Sequence, residues 1–194
     1  MIAALVISAI ILWPGRTTPV TEVVTYSTDQ PSEQKPDDGF NWRGGPNDPK
    51  KIRITSLGID AYVQNVGVDQ NNEIAVPNNI HVAGWFIDSV RPGDKGLSII
   101  DGHLNGRQRD GIFANLETIQ KGAVIFVEFG DGTAKQFKVT DKVTVDTEEA
   151  ASVLFSQYPS VTHQLNLVTC GGNFDRDAHL YTKRVIVSSV RVDT

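Results

Sequence analysis

The chain reads as an all-β protein, a closed or nearly closed barrel of about eight strands with two short helices. Three observations predict this. Short runs in which apolar and polar residues alternate recur from Lys51 to the C-terminus, separated by Gly, Pro, Asn and Asp. Gly130-Asp131-Gly132 stands between two such runs, a strong hairpin signal. Only residues 111–120 and 147–155 carry a helical pattern, and both are short. No internal repeat is visible.

Residues 1–16 open with an apolar run ending at Trp13-Pro14-Gly15-Arg16. The run is shorter than the roughly 20 residues that span a bilayer, and no Lys or Arg precedes it as in a signal peptide. It reads as the tail of an N-terminal membrane anchor whose beginning lies outside this sequence, with Trp13 and Arg16 suited to the interface. A signal-peptide apolar region is the competing reading. Residues 17–49 are rich in Thr, Ser, Pro, Asp, Gln and Gly. So little apolar surface cannot offset the entropy of ordering, so this stretch reads as a flexible linker with few contacts. Phe40 and Trp42 are its exceptions, either docked on the domain or isolated.

Residues 50–194 form the folded domain. Residues 51–54, 57–66 and 73–77 read as strand pieces, and 96–100 as a strand running into Asp101-Gly102-His103. In 111–120, Phe113, Leu116 and Ile119 fall on one side of a short helix. Residues 123–129 and 134–139 are the hairpin arms, the second extended by 143–145. Thr147-Glu148-Glu149 suits the capped start of another short helix. Residues 163–169 and 184–192 are the last two strands. Trp85 and Phe86 are read as core. The formal net charge of −5 argues against a nucleic-acid partner. With one cysteine there is no intramolecular disulfide and no cysteine-cluster metal site.

The lone cysteine is the chemical centre. Cys170 follows a half-buried strand and precedes Gly171-Gly172, which places a thiol at a strand end before a sharp turn. Arg184 opens the next strand, and His103 ends an apolar run before a Gly/Asn turn. Cysteine, histidine and arginine are the parts of a thiolate nucleophile, its acid/base partner and an oxyanion clamp. Each has a plainer reading: Cys170 as a buried small hydrophobe, His103 as a turn histidine, Arg184 as the ion-pair partner of Asp175 or Asp177. Asp101 either orients His103 or is a satisfied turn acid. His81 and His163 read as surface or loop histidines, and the Gly-rich stretches lack the Lys-Ser/Thr of a phosphate loop. No cofactor is implied.

Asn166-Leu167-Val168-Thr169-Cys170, with Arg184 opening the following strand, resembles the Thr-Leu-x-Thr-Cys…Arg signature of sortases. Ile100-Asp101-Gly102-His103 is similar to that family's Gly-His segment, and Pro92–Gly96 and Gly111–Leu116 have its flanking character, nearest to classes E and F. Asn166 departs from the usual Thr. The resemblance implies the sortase barrel, with Cys170, His103 and Arg184 as catalytic residues and Thr169 and Leu167 on the peptide side. His179 matches no motif position, but its place in the loop between Cys170 and Arg184 puts it near the site, on the peptide side. It implies a cysteine transpeptidase that cleaves a Leu-Pro-x-Thr-Gly-like sorting signal and passes the acyl group to an amine of a cell-wall precursor. Its partners would be sorting-signal peptides, an amine acceptor such as a peptidoglycan precursor, and the membrane through the N-terminal segment. It would work at the extracellular face of the cytoplasmic membrane. An L,D-transpeptidase would need a Ser-His-Gly-x-Cys run, and a papain-like protease a histidine after the cysteine, with an Asn partner. The rival of another class is a non-catalytic, surface-tethered β-barrel binding module.

Overall fold

The computed structural model describes residues 21–28, 30–36, 40–178 and 180–192. The anchor expected over residues 1–16 and the side chain of His179 lie outside them. Among the described residues, strands run in the order β1 (Val23–Val24), β2 (Pro49–Ile54), β3 (Ile59–Val66), β4 (Ala83–Phe86), β5 (Gly96–Asp101), β6 (Val124–Phe129), β7 (Ala134–Asp146), β8 (His163–Asp175) and β9 (Leu180–Arg191), with one α-helix, α1 (Ala150–Leu154). Their order across the sheet is β1-β3-β2-β6-β7-β9-β8-β5-β4. A further pairing of β3 with β4 joins the ends, so β2 to β9 form a closed eight-stranded barrel. The two-residue β1 pairs in parallel with the last two residues of β3, Asn65 and Val66.

Alternation along the strands sorts residues between two apolar clusters. Ile52, Ile54, Val63, Trp85, Ile100, Ile125, Phe137, Leu165, Leu167 and Val187 fill the barrel interior. Residues of the opposite parity, among them Val66, Phe86, Ile99, Val168 and Ile186, form a second cluster outside the sheet, covered by Ala150 and Leu154 of α1 and by Val24. Cys170 shares its face with Val168, two residues before it, so the thiol stands at the end of this outer cluster.

Several local expectations change. In place of a helix over 111–120 there is a single 3-10 turn at Leu116–Thr118. The spacing of Phe113, Leu116 and Ile119, all buried, is the i, i+3 period that a 3-10 turn places on one side. The helix expected from Thr147 begins at Ala150, with no side-chain cap; Thr147 instead donates its hydroxyl to the Tyr181 carbonyl at 2.8 Å. Trp85 and Phe86 are core, but in a strand, β4, whose four residues are all buried and show no alternation. The hairpin at Asp131 is present; its carboxylate accepts from the Thr133 amide at 2.9 Å and hydroxyl at 2.7 Å.

The described residues between Thr21 and Pro49 make contacts with the barrel. Val24 is 3% exposed, Trp42 Nε1 donates to the Val63 carbonyl at 3.0 Å, and the Phe40 and Tyr62 rings stack at 4.7 Å. The Glu33 carboxylate accepts from the backbone amides of Arg107 and Gln108. Polar composition predicted few contacts because it reports mean apolar content. Here a few well-placed residues do the docking.

Candidate active site

Cys170 lies within β8, not at its end. The strand continues through Gly171 and Gly172 to Asp175, with a bulge between Gly171 and Phe174. The glycines therefore serve a bulge rather than a turn, and Gly172 takes the positive φ of 71° that such an irregularity demands. Arg184 likewise stands inside β9, which begins at Leu180. The antiparallel register pairs Cys170 directly with Arg184, so the two side chains leave neighbouring backbone positions on one face. β9 is paired on its other side with β7, where Val145 opposes Arg184.

His103 arrives from a different direction. β5 runs parallel to β8, with Asp101 opposite Val168. Just beyond, the Gly102 amide donates to the Val168 carbonyl at 3.1 Å, and the Thr169 hydroxyl donates to the Gly102 carbonyl at 2.7 Å. Both bonds clamp the residue before His103 to the two residues before Cys170. The following loop is tied to the start of β9, where the Tyr181 hydroxyl meets Asn105 Oδ1 at 2.6 Å. The three residues singled out by sequence thus converge at one end of the barrel.

Burial governs the electrostatics. It pushes the half-buried Cys170 thiol above its ordinary value; the Arg184 guanidinium opposes this and the Asp101 carboxyl adds to it. Burial holds His103 below its ordinary value, partly offset by the bond from its Nε2 to the Pro77 carbonyl. The resting pair at neutral pH is accordingly a thiol and a neutral imidazole. Arg184 Nη1 donates to Thr147 Oγ1 at 3.1 Å, to the Tyr181 carbonyl at 3.1 Å and to the Lys183 carbonyl at 3.0 Å. Among the described residues it has no carboxylate partner, so the ion pair with Asp175 or Asp177 is not formed. Asp175 instead accepts from the amides of Asp177 and Ala178.

Asp101 does not orient His103. Its side chain lies over Gly84 of β4, where a Cβ would run into Oδ1 and come within 3.1 Å of Pro77 Cγ. Among the described residues Oδ1 is buried without a partner, and burial raises this carboxyl well above the ordinary range despite the backbone amides of Asp101 and Gly84. Leu167 is fully buried in the barrel interior, the face opposite to the thiol, so it packs and is not placed to meet a peptide. Thr169 points the same way and acts through its bond to Gly102. His81 is tied to the Glu33 carbonyl at 3.2 Å and His163 to the Thr162 hydroxyl at 2.7 Å. Pro77, Thr147 and Tyr181 were missed from the sequence; none carries a local signal of a role near the site.

A family model described as a sortase domain matches residues 52–192. No curated protein matches. Among solved structures, sortase C-1 from Actinomyces oris is 24% identical, with 76% of each chain covered and a TM-score of 0.55. A lid mutant of sortase A from Corynebacterium diphtheriae is 21% identical over 78% of this chain and 74% of that one, with a TM-score of 0.58. A sortase D5 transpeptidase from Clostridium perfringens is 18% identical over 75% and 79%, with a TM-score of 0.56. These three share the barrel fold, and the family match spans most of the chain, Cys170, His103 and Arg184 included. The chain belongs to the sortase family, the cell-surface cysteine transpeptidases.

Proposed function

We propose that Cys170, His103 and Arg184 carry out acyl transfer from a sorting-signal peptide of the Leu-Pro-x-Thr-Gly kind to an amine of a cell-wall precursor. The observation that carries the assignment is the direct pairing of Cys170 with Arg184, next to a loop that the β5–β8 pairing delivers. Cys170 attacks the carbonyl of the peptide bond after Thr. Its proton passes to His103, because both groups rest neutral and the transfer must accompany attack. Arg184 stabilises the oxyanion as the tetrahedral centre forms. His103, now an imidazolium, protonates the leaving amine, and the thioester remains. The incoming amine then gives a proton to His103 as it attacks, and the thiol is regenerated. We place the enzyme at the extracellular face of the membrane, held by the segment that begins at residue 1. Its nearest classes would be E and F, on the residues flanking His103.

The test is to incubate the chain with a sorting-peptide library and candidate amines and to read the products by mass spectrometry. Cys170→Ala is expected to abolish transfer while the fold persists, because the sequence contains no second thiol. A folded variant that still transfers would refute the role of Cys170. A non-catalytic binding module would instead form no thioester with any peptide.

A further inference from the structure

The ring of His103 is held from one side only. Its Nε2 lies 2.6 Å from the Pro77 carbonyl, across 26 residues of chain. A carbonyl oxygen can only accept, so Nε2 must carry the proton in the neutral as well as the charged ring. Nδ1 is left without a hydrogen-bond partner among the described residues. The carbonyl itself is firmly placed. Pro77 is buried, its ring restricts φ, and the segment around it is pinned by the Ala75 amide on the Gly67 carbonyl at 2.9 Å and by the Ile80 amide on the Ser32 carbonyl at 3.0 Å. Beside it, the acid next to the catalytic loop, Asp101, is turned toward Gly84 and makes no bond to His103.

From this geometry we infer that the Pro77 backbone carbonyl is the orienting acceptor of the catalytic histidine, and that Nδ1 is the atom that moves the proton. The inference rests on the acyl-transfer reading given above and deepens it. Pro77 is a positioning residue: it fills the place that a carboxylate takes in hydrolase triads, where it holds the imidazole in one tautomer and one orientation. In acylation the S–H bond of Cys170 breaks, its proton goes to Nδ1, and the sulfur electron pair forms the C–S bond. Nδ1–H then gives that proton to the leaving nitrogen as the C–N bond breaks. In the second half Nδ1 takes a proton from the attacking amine as the new C–N bond forms, and returns it to the sulfur as the C–S bond breaks. Throughout, Nε2–H stays on Pro77, so the ring cycles between its two states without turning over.

The full 194-residue chain, labelled with 15N-histidine, tests this directly, with the His103 signals identified by their loss in His103→Gln. Above the pH at which the ring loses its charge, Nε2 is expected to retain a slowly exchanging proton and Nδ1 to show the shift of an unprotonated nitrogen. A neutral ring protonated at Nδ1, or a rapid average of both tautomers, overturns the inference. Pro77→Gly, which frees the backbone carrying the carbonyl, is expected to weaken the Nε2–H signal and lower kcat by on the order of tenfold or more. KM should stay within about twofold. Pro77→Ala keeps a more restricted backbone and should recover most of the rate. A Pro77→Gly chain that loses the signal yet turns over normally also overturns it. The tautomer is read with no peptide present, so it stands apart from the acyl-transfer reading, which fails instead if Cys170→Ala still transfers.

Discussion

Asp101 is the residue where chemistry and stability separate most clearly. Burial raises the Asp101 carboxyl, one oxygen of which has no partner among the described residues, well above its ordinary range in the folded chain, whereas in the unfolded chain it ionises near 3.8. Its folded value is raised, so its contribution to stability is fully present below pH 3.8 and is lost as pH rises toward the folded value. Within that window the cost grows by up to about 1.4 kcal/mol per pH unit. Asp101→Asn cannot titrate. Its stability relative to the unaltered chain should therefore climb as pH rises above about 4. Asp69, Asp131 and Asp175, whose values are lowered, drive stability the other way in both chains and cancel in the difference. Urea unfolding at three pH values measures it; a difference that is constant with pH contradicts a buried neutral acid.

At the scale of elements, the site is a product of strand pairing. β9 is hydrogen-bonded on both sides, to β7 and to β8, which holds the Arg184 backbone in place. The connection leading into α1 holds its side chain, because Thr147 is bonded to β9 through its amide on the Thr182 carbonyl and its hydroxyl on the Tyr181 carbonyl while accepting from Arg184. Arg184→Lys keeps the charge but loses the planar fork. Thioester formation should fall by about 100- to 1,000-fold, the usual cost of one oxyanion donor. Thr147→Val removes only the bond that aims the guanidinium and should cost less, about tenfold. Rapid-quench measurement of the acyl-enzyme ranks the two. Near-normal rates for Arg184→Lys would reduce that residue to a structural hydrogen-bonding role.

For the whole molecule, the barrel closes through the β3–β4 pairing, and the second apolar cluster outside it is finished by pieces from far apart in the chain. One of these is Val24, carried by a two-residue strand on β3. Deleting residues 1–47 removes Val24 from that cluster, the Trp42 bond to Val63 and the Phe40–Tyr62 stack. The expected loss is about 2 to 4 kcal/mol. In a domain of this size that lowers Tm by roughly 5 to 15 °C. Thermal unfolding of the truncated and full chains decides the matter, and an unchanged Tm would mean that the segment is a tether after all.

Period-two alternation and turn chemistry are local, and what depends on them could be read from residues alone. They revealed most of the strands, the Asp131 hairpin, the arginine on the strand after the cysteine, and the histidine at the end of β5. The sequence also isolated the proposed nucleophile, since a chain with one thiol leaves no other candidate. Strand ends at the site were not legible, because Gly171-Gly172 has the same composition whether it makes a turn or, as here, a bulge within β8. β4 escaped notice because a strand buried on both faces has no alternation to display. The parallel β5–β8 register, the Pro77 carbonyl on His103 and the Thr147 hydroxyl on Arg184 join residues tens of positions apart. Contacts of that kind arise from the closure of the barrel and from buried polar groups that need partners, so only the tertiary structure decided them.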